Sequence, residues 1–388
     1  MNEFQIATKI YFGIDSLKYL SRLKYKRAFI VTDPFIIQSN IINKISTHLE
    51  NAGISYKLFS EVVPNPPVSS IVKGIKAFRE SYNLLPDVII AVGGGSAIDT
   101  AKGICYFQQY FTKKGILKDD NVPRFIAIPT TSGTGSEVTD YCVITDEKTG
   151  TKHVLVDDIM VPNEAILDIE LVKTVPPTVT ADTGADVLVH AIEAYVSIKA
   201  SDFTDALAQK AIELVFDYLP IAYQDGKDEV ARTKMHHASS LAGMAFSNTG
   251  LGINHGMAHA VGAKFNLSHG RANGILLPHV IYYNSCLQEM QDKSVRAAER
   301  YAQIAEFLGI SGKTVREKVE GLIKQIEDLF KEVKIPNNFK DAGISYSEYM
   351  SSVSELAVEA INDRCTATNP RIPSKFEIEE LFKTAFSE

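Results

Sequence analysis

The polarity pattern changes character partway along the chain. In the first half, short apolar runs rich in β-branched residues alternate with helical stripes. RAFIVTD (27–33) has the apolar density of a buried strand. Ile37, Ile41, Ile45 and Leu49 follow at a spacing that puts them on one helical face, which Gly53 ends. SYKLFSEVV (55–63) predicts a second strand, and Val68, Ile71, Val72, Ile75 and Phe78 predict a second helix. DVIIAVGGG (87–95) and PRFIAIPTT (123–131) repeat the sequence of apolar run and turn. This βαβαβ order predicts an α/β half with a mostly parallel sheet and helices on both faces.

The rhythm stops near Pro176 and Pro177. Beyond them DALAQKAIELVFDYLP, RTKMHHASSLAGMAFS and KVEGLIKQIEDLFKEV all carry helical periodicity, and strand-like alternation is hard to find. The expected organisation is an α/β domain over residues 1–178 and an all-helical domain over 179–388. No internal repeat or low-complexity segment interrupts either.

Composition narrows the function classes. A chain of 388 residues has room for two buried cores, and 45% hydrophobic with 22% charged residues is a globular balance. A net charge of −7 without a run of Lys or Arg argues against a nucleic-acid partner. Nothing is apolar for the roughly 20 residues a membrane-spanning helix needs, so no membrane partner is expected. MNEFQIATKIYFG carries Glu3 and lacks the apolar core of a secretory signal. Cys105, Cys142, Cys286 and Cys365 lie far apart with no C-x-x-C spacing, so free thiols and a cytoplasmic location are expected. The β-rich stretch QIATKIYFG is a candidate for pairing with a second subunit, in a homodimer or higher homo-oligomer.

Two loops are candidates for an anion or a dinucleotide. VIIAVGGGSAIDTAKGI (88–104) reads as strand, glycine turn and helix, with Ser96 as N-cap, Asp99 completing a capping-box-like pair and the helix starting at Ala97. Free N–H groups at that helix end suit a phosphate, although a plain β-to-α turn has the same sequence. PTTSGTGSEVT (129–139) is a second Gly/Ser/Thr loop directly after a strand, and parallel sheets bind ligands at such strand ends. Asp33 ends the first clear strand and is placed to accept from a ribose, which favours NAD over NADP. It precedes the glycine loop, so this is not the G-x-G-x-x-G fingerprint.

Histidines supply a separate constellation. In TGADVLVHAIEAY (183–195), Asp186 and His190 stand four apart on an apolar helical pattern and share a face. They are either a buried polar pair with protein partners or two ligands of a metal. NHGMAHAVGAKFNLSHG (254–270) adds His255 and His259, again four apart, and His269 beyond a bend at Gly262, Asn266 and Leu267. One carboxylate with several imidazoles suits Fe²⁺ or Zn²⁺ rather than Ca²⁺, and without Cys it does not suit a structural zinc finger. His236 and His237 read as structural, while His48, His153 and His279 have no comparable context.

GGGSAIDTAK, PTTSGTGSEVT, DVLVHAIEAY, GLGINHGMAHAVGAKFNLSHGRAN and LLPHV stand in an order that resembles the iron-dependent (group III) alcohol dehydrogenases over the whole chain. ASDFTDALAQKAIELVFDYLP, KMHHASSLAGMAFS and TNPR are similar to the 1-propanol dehydrogenases of propanediol-utilising bacterial microcompartments. The resemblance implies a dehydroquinate synthase-like architecture, with a dinucleotide-binding α/β domain, an all-α metal-binding domain and an active site in the cleft between them. It implies Asp186, His190, His255 and His269 as ligands of Fe²⁺, with Zn²⁺ as the alternative, His259 in proton transfer and Phe246 in the substrate pocket. For NAD(H) it implies Asp33, Asn65, Gly94, Gly95, Ser96, Asp99, Thr130, Thr131, Thr134, Thr139, Tyr141, Val143 and Lys152. The implied reaction is hydride transfer between a nicotinamide and a small alcohol or aldehyde whose carbonyl the metal polarises. Apolar surroundings (Phe246, Met257, Val261) point to a short aliphatic substrate. Microcompartment enzymes or shell are the implied further partners, with enclosure in that compartment.

Three rivals stand beside this expectation. Dehydroquinate-synthase-like lyases share the architecture but need several Lys and Arg for a phosphate and a carboxylate, and the metal motifs offer few. Polyol or diol dehydrogenases, of glycerol, 1,3-propanediol or lactaldehyde type, share the chemistry. A non-catalytic scaffolding protein would have no use for intact metal and cofactor motifs.

Overall fold

The computed structural model describes residues 3–82, 84–116, 122–148, 150–287 and 295–386. The chain forms two compact units, Gln5–Thr174 and Val175–Glu388, the latter together with Met1–Phe4. In the first unit, strands and helices alternate as β1 (Lys9–Phe12), β2 (Arg27–Thr32), α1 (Pro34–Gln38), α2 (Ile41–Asn51), β3 (Ser55–Phe59), α3 (Val68–Glu80), β4 (Val88–Gly93), α4 (Gly95–Lys113) and β5 (Arg124–Pro129). A hairpin of β6 (Tyr141–Thr145) and β7 (Lys152–Val156) precedes β8 (Glu164–Leu167).

Six of these strands pair in parallel in the order β1-β8-β5-β4-β2-β3. Their apolar runs are continuous because both faces of the sheet are covered. Along β2, Phe29 and Val31 pack with Ile71 and Phe78 of α3 and with Ile98 and Ile104 of α4. The alternate residues Ala28 and Ile30 pack with Ile36 of α1 and with Ile45 and Leu49 of α2. The period of two along each strand thus feeds two separate cores. The N-terminal stretch forms β1, an edge strand of the sheet paired on one side with β8, Tyr11 opposite Ile166.

The β6–β7 hairpin is antiparallel and stands outside the main sheet. Short, half-buried strands on either side of a turn gave no strong alternation to read. Lys102 of α4 fixes its start. The fully buried Nζ donates to Thr139 O (2.8 Å), Thr139 Oγ1 (3.1 Å) and Tyr141 O (2.7 Å).

The second unit is helical throughout its described residues: α5 (Pro177–Val196), α6 (Asp202–Gln224), α7 (Glu229–Thr249), α8 (Ile253–Phe265), α9 (His269–Asn284), α10 (Arg296–Phe307), α11 (Val315–Glu332), α12 (Tyr346–Asn362) and α13 (Lys375–Phe386). Pro177 starts α5 at the first helical position, where its missing N–H costs nothing. Every residue from Ala185 to Val196 is buried, so α5 runs through the middle of this unit. Met257 and Val261, expected near the substrate, instead join the core with Phe339, Tyr349 and Phe382. Both lie about half a turn round α8 from the histidines, since each residue advances about 100°. No helix among the described residues is long and apolar enough to cross a membrane, and all four cysteines are unpaired.

Lys102→Met would leave two carbonyls without their donor and the buried Asp99 without its neighbouring cation. It should cost about 3–5 kcal/mol in a denaturant titration. A loss below about 1 kcal/mol would mean that the ammonium does not hold the hairpin.

Candidate metal centre and cofactor loops

Three helices bring the predicted ligands together. Asp186 lies on α5, His255 on α8, and His269 is the first residue of α9. The bend between α8 and α9 works as the sequence suggested, with Asn266 left-handed (φ 50°) as the C-cap of α8. Gly270 lets α9 start against α5. A Cβ there would collide with the Asp182 carbonyl oxygen and lie 3.3 Å from Asp186 Cβ.

One donor atom each from Asp186, His255 and His269 gathers within 4.8 Å of the others. Asp186 Oδ1 is 3.6 Å from His255 Nε2 and 3.5 Å from His269 Nε2. Ligands about 2.1 Å from a shared tetrahedral centre stand about 3.4 Å apart, so these separations fit one cation. His190 flanks the trio without joining it. Its ring stacks 4.5 Å from that of His255, and its Nδ1 is 4.0 Å from Asp186 Oδ2.

The charge balance is that of a cation site. Burial alone would raise the Asp186 carboxyl, but His190, His269 and His255 hold it far below the usual carboxylate range. Burial would lower His255, yet Glu193 and Asp186 raise it to about 9. Without a metal the cluster therefore attracts protons, which a divalent ion would displace.

Two supporting residues escaped the sequence reading. Glu193 lies on the Asp186/His190 face of α5, at i+7 and i+3, a signal that was there to extend. Its Oε2 is 2.5 Å from His255 Nδ1, and its Oε1 accepts from Asn254 N at 2.8 Å. Glu193 thus engages Nδ1 and leaves Nε2 facing Asp186. Asn273 stands one turn beyond His269. Its Nδ2 donates to Asp186 Oδ1 (2.8 Å) and lies 3.2 Å from both His255 Nε2 and His269 Nε2. Asn254 Nδ2 donates to Asn273 Oδ1 (2.9 Å), which fixes the direction of that amide.

Two further predicted residues surround the cluster. The Phe246 ring stacks on His190 at 4.5 Å. His259 follows His255 by one turn, and its ring stacks on His269 at 5.1 Å. Its Nδ1 is 2.8 Å from Asp363 Oδ2. His236 is buried elsewhere on α7 and burial lowers it to about 3, in keeping with a structural part. His48 bonds Ser21 Oγ through Nδ1.

In the first unit, Asp33, the glycine turn of Gly94, Gly95 and Ser96, and the loop of Thr130, Thr131 and Thr134 sit at the carboxyl ends of three neighbouring strands, β2, β4 and β5. Asp33 caps α1, its Oδ1 accepting from Ile36 N at 3.1 Å. The glycine turn differs from expectation at Ser96. Helix α4 begins at Gly95 with Gly94 as its N-cap, so Ser96 lies inside the first turn and no side chain caps that end. Asp99 is no capping partner either. It accepts from Ser136 Oγ (2.7 Å) and Val143 N (3.0 Å) and so holds the second loop. Burial pushes its carboxyl up and the Lys102 ammonium down. Thr130 N donates to Gly93 O (3.0 Å), which joins the loop of Thr130, Thr131 and Thr134 to the glycine turn. Tyr141 and Val143 lie on β6 and Lys152 on β7, and Asn65 adopts a left-handed φ of 51°.

Residues 7–169 match the model for "iron-containing alcohol dehydrogenase", and residues 180–386 match that for the C-terminal part of the same family. The chain belongs to the iron-containing alcohol dehydrogenase family. It is 43% identical to the 1-propanol dehydrogenase PduQ of Citrobacter freundii, over 99% of each chain. It is 42% identical to an NADPH-dependent butanol dehydrogenase of Clostridium saccharobutylicum, covering 100% of this chain and 98% of that one. Among solved structures, a 1,3-propanediol oxidoreductase superposes with a TM-score of 0.89 at 34% identity, and an alcohol dehydrogenase of Oenococcus oeni with 0.90 at 32%, each covering 100% of both chains. The dehydroquinate synthase-like fold and an alcohol oxidoreductase dependent on iron and a nicotinamide follow, and the lyase and scaffold rivals fall away.

Glu193→Gln keeps the shape but loses the charge behind His255. Metal affinity, measured by competition with a chelator, should fall about 10- to 100-fold. Unchanged affinity would show that Glu193 serves only to hold Asn254.

Proposed function

We propose that the chain interconverts short aliphatic primary alcohols and aldehydes, propanal and 1-propanol foremost, with NAD(H) carrying the hydride. Residues 1–178 act as the NAD-binding domain and 179–388 as the metal-binding, catalytic domain. Asp186, His255 and His269 would hold Fe²⁺, with Zn²⁺ as the alternative, and His190, which flanks them beside His255, is the fourth ligand that the family resemblance implies. The observation that carries this reading is the convergence of the buried Asp186 and His255 with the half-buried His269 at ligand-to-ligand distances.

A divalent ion bound there supplies Lewis-acid polarisation to a carbonyl oxygen. Everything else is work for the side chains. Glu193 and Asn273 orient His255 and Asp186, so the donor atoms are arranged before any ion arrives. The two carboxylates of Asp186 and Glu193 offset a divalent charge in a buried setting. His259 stands one helical turn from His255 and is the group assigned to proton transfer with the substrate oxygen. Phe246, stacked on His190, presents an apolar face that suits a short alkyl chain better than a charged group. The propanol and butanol named in two relatives are substrates of that kind.

On the cofactor side, the uncapped start of α4 suits a pyrophosphate. Asp33 Oδ1 is used as a helix cap, and Oδ2 lies 3.1 Å from where a Cβ of Gly93 would stand, beside the glycine turn. A carboxylate there would repel the extra phosphate of NADP. Assembly as a homo-oligomer and a place in a propanediol-utilising compartment rest on likeness alone and belong to the same proposal.

His255→Ala should lose bound metal and propanal-dependent NADH oxidation together, in anaerobic protein with and without added Fe²⁺. Activity retained with an empty site would refute the assignment. Asp33→Gly costs the α1 cap only a few tenths of a kcal/mol, roughly, so its main effect should fall on the cofactor. Tolerance of NADPH should rise, and an unmoved NADH/NADPH ratio would mean that Asp33 does not meet the ribose.

A further inference from the structure

Helix α8 meets a second carboxylate that belongs to no predicted site. Asp363 follows the end of α12 and caps the 3-10 turn Arg364–Thr368, its Oδ1 accepting from Cys365 N at 2.7 Å. The cap fixes the carboxylate plane and places Oδ2 2.8 Å from His259 Nδ1. Both side chains are close to fully buried, at 9% and 10% exposure, so little water competes for the bond.

The packing that seats Asp363 is specific. Gly256 lies between His255 and His259, on the side of α8 turned to this turn of chain. A Cβ at Gly256 would collide with Thr366 Oγ1, come within 2.9 Å of the Ala360 carbonyl oxygen and stand 3.4 Å from Asp363 Cβ. Thr366 Oγ1 in turn donates to Ala360 O at 2.6 Å, tying the turn to the end of α12. The small residue in HGMAH therefore lets residues 360–366 press against α8 at the level of His259.

We propose that Asp363 is the positioning residue for His259, holding the imidazole in the tautomer that carries its proton on Nδ1 and leaves Nε2 as the working nitrogen. The proposal rests on the alcohol dehydrogenase reading for the step it serves, but not for the bond itself. A neutral imidazole has one donor and one acceptor nitrogen, and a fixed carboxylate can only accept. The ring stacked on His269 at 5.1 Å is thereby locked in orientation as well as tautomer. Asp363 needs no contact with substrate to act in this way.

The test uses full-length, metal-loaded Asp363→Asn and Asp363→Glu, alone and combined with His259→Ala. Acid–base help from a side chain is worth roughly 10²- to 10⁴-fold, so Asp363→Asn should lower kcat by at least about 10-fold. KM for propanal should stay within about twofold and metal content should be unchanged. Asp363→Glu, which keeps an acceptor, should recover part of the loss. In the His259→Ala background, Asp363→Asn should cost nothing further, because residues acting as one unit are not additive. A multiplicative loss in that background would overturn the proposal. Long-range ¹H–¹⁵N spectra of the zinc-loaded protein, assigned with His259→Ala, read the tautomer directly. The Nδ1-protonated form in the parent and its loss in Asp363→Asn support the assignment. An Nε2-protonated ring in the parent, or the same tautomer in both, overturns it. The spectra require no turnover, so they separate failure of this inference from failure of the assigned reaction.

Discussion

A carboxylate buried in the middle of a helical unit is the constraint on which the rest of the structure depends. Asp186 is almost inaccessible to water, and an isolated charge in such a place would be too costly to keep. It is kept because imidazoles from the same helix and two others surround it, and because the Asn273 amide donates to it. Those groups must themselves be placed, so Glu193 stands behind His255 and Asn254 stands behind Asn273. A polar network of this depth is worth having only when every member finds a partner. A divalent ion would complete it, offsetting the two carboxylates while the imidazoles remain neutral.

The fold makes that network possible by close approach of backbones. Gly274 of α9 comes close to Ala185 of α5, and Gly270 seats the start of α9 against the carbonyl of Asp182. The hydrophobic face of α8 holds it from the other side, with Met257 and Val261 in the core. One helix thus anchors itself with one face and presents His255 and His259 with another. The α/β unit applies a comparable device to its loops. Asp99 and Lys102, one turn apart on α4, reach the second loop and the start of the hairpin, and so hold the segments at the strand ends in place.

Much of this was legible in the residues. Apolar runs with turns after them gave the parallel sheet, and the change of period near Pro176 preceded the helical stretch. Asp186 and His190, and then His255 and His259, announced themselves by a spacing of four that only a helix turns into a shared face. Glu193 and Asn273 carry the same signal, at i+3 from His190 and i+4 from His269, but amide and carboxylate side chains are common on helices, so the spacing alone does not single them out. Ser96 looked like a cap because Ser is a good one, but the glycine before it already starts the helix. Met257 and Val261 were assigned to the substrate by proximity in sequence, when their place on α8 turns them to the core. Asp363 could not have been found locally: it stands 104 residues from His259, and only the packing of residues 360–366 onto α8 joins them.

Iron K-edge absorption on anaerobically prepared, iron-loaded protein tests most directly whether Asp186 and its imidazoles hold the cation. The expected result is one iron per chain in a shell of nitrogen and oxygen donors at about 2.0–2.2 Å, with the multiple-scattering signature of several imidazoles. A sulfur shell near about 2.3 Å, or iron that binds without imidazole, would contradict it.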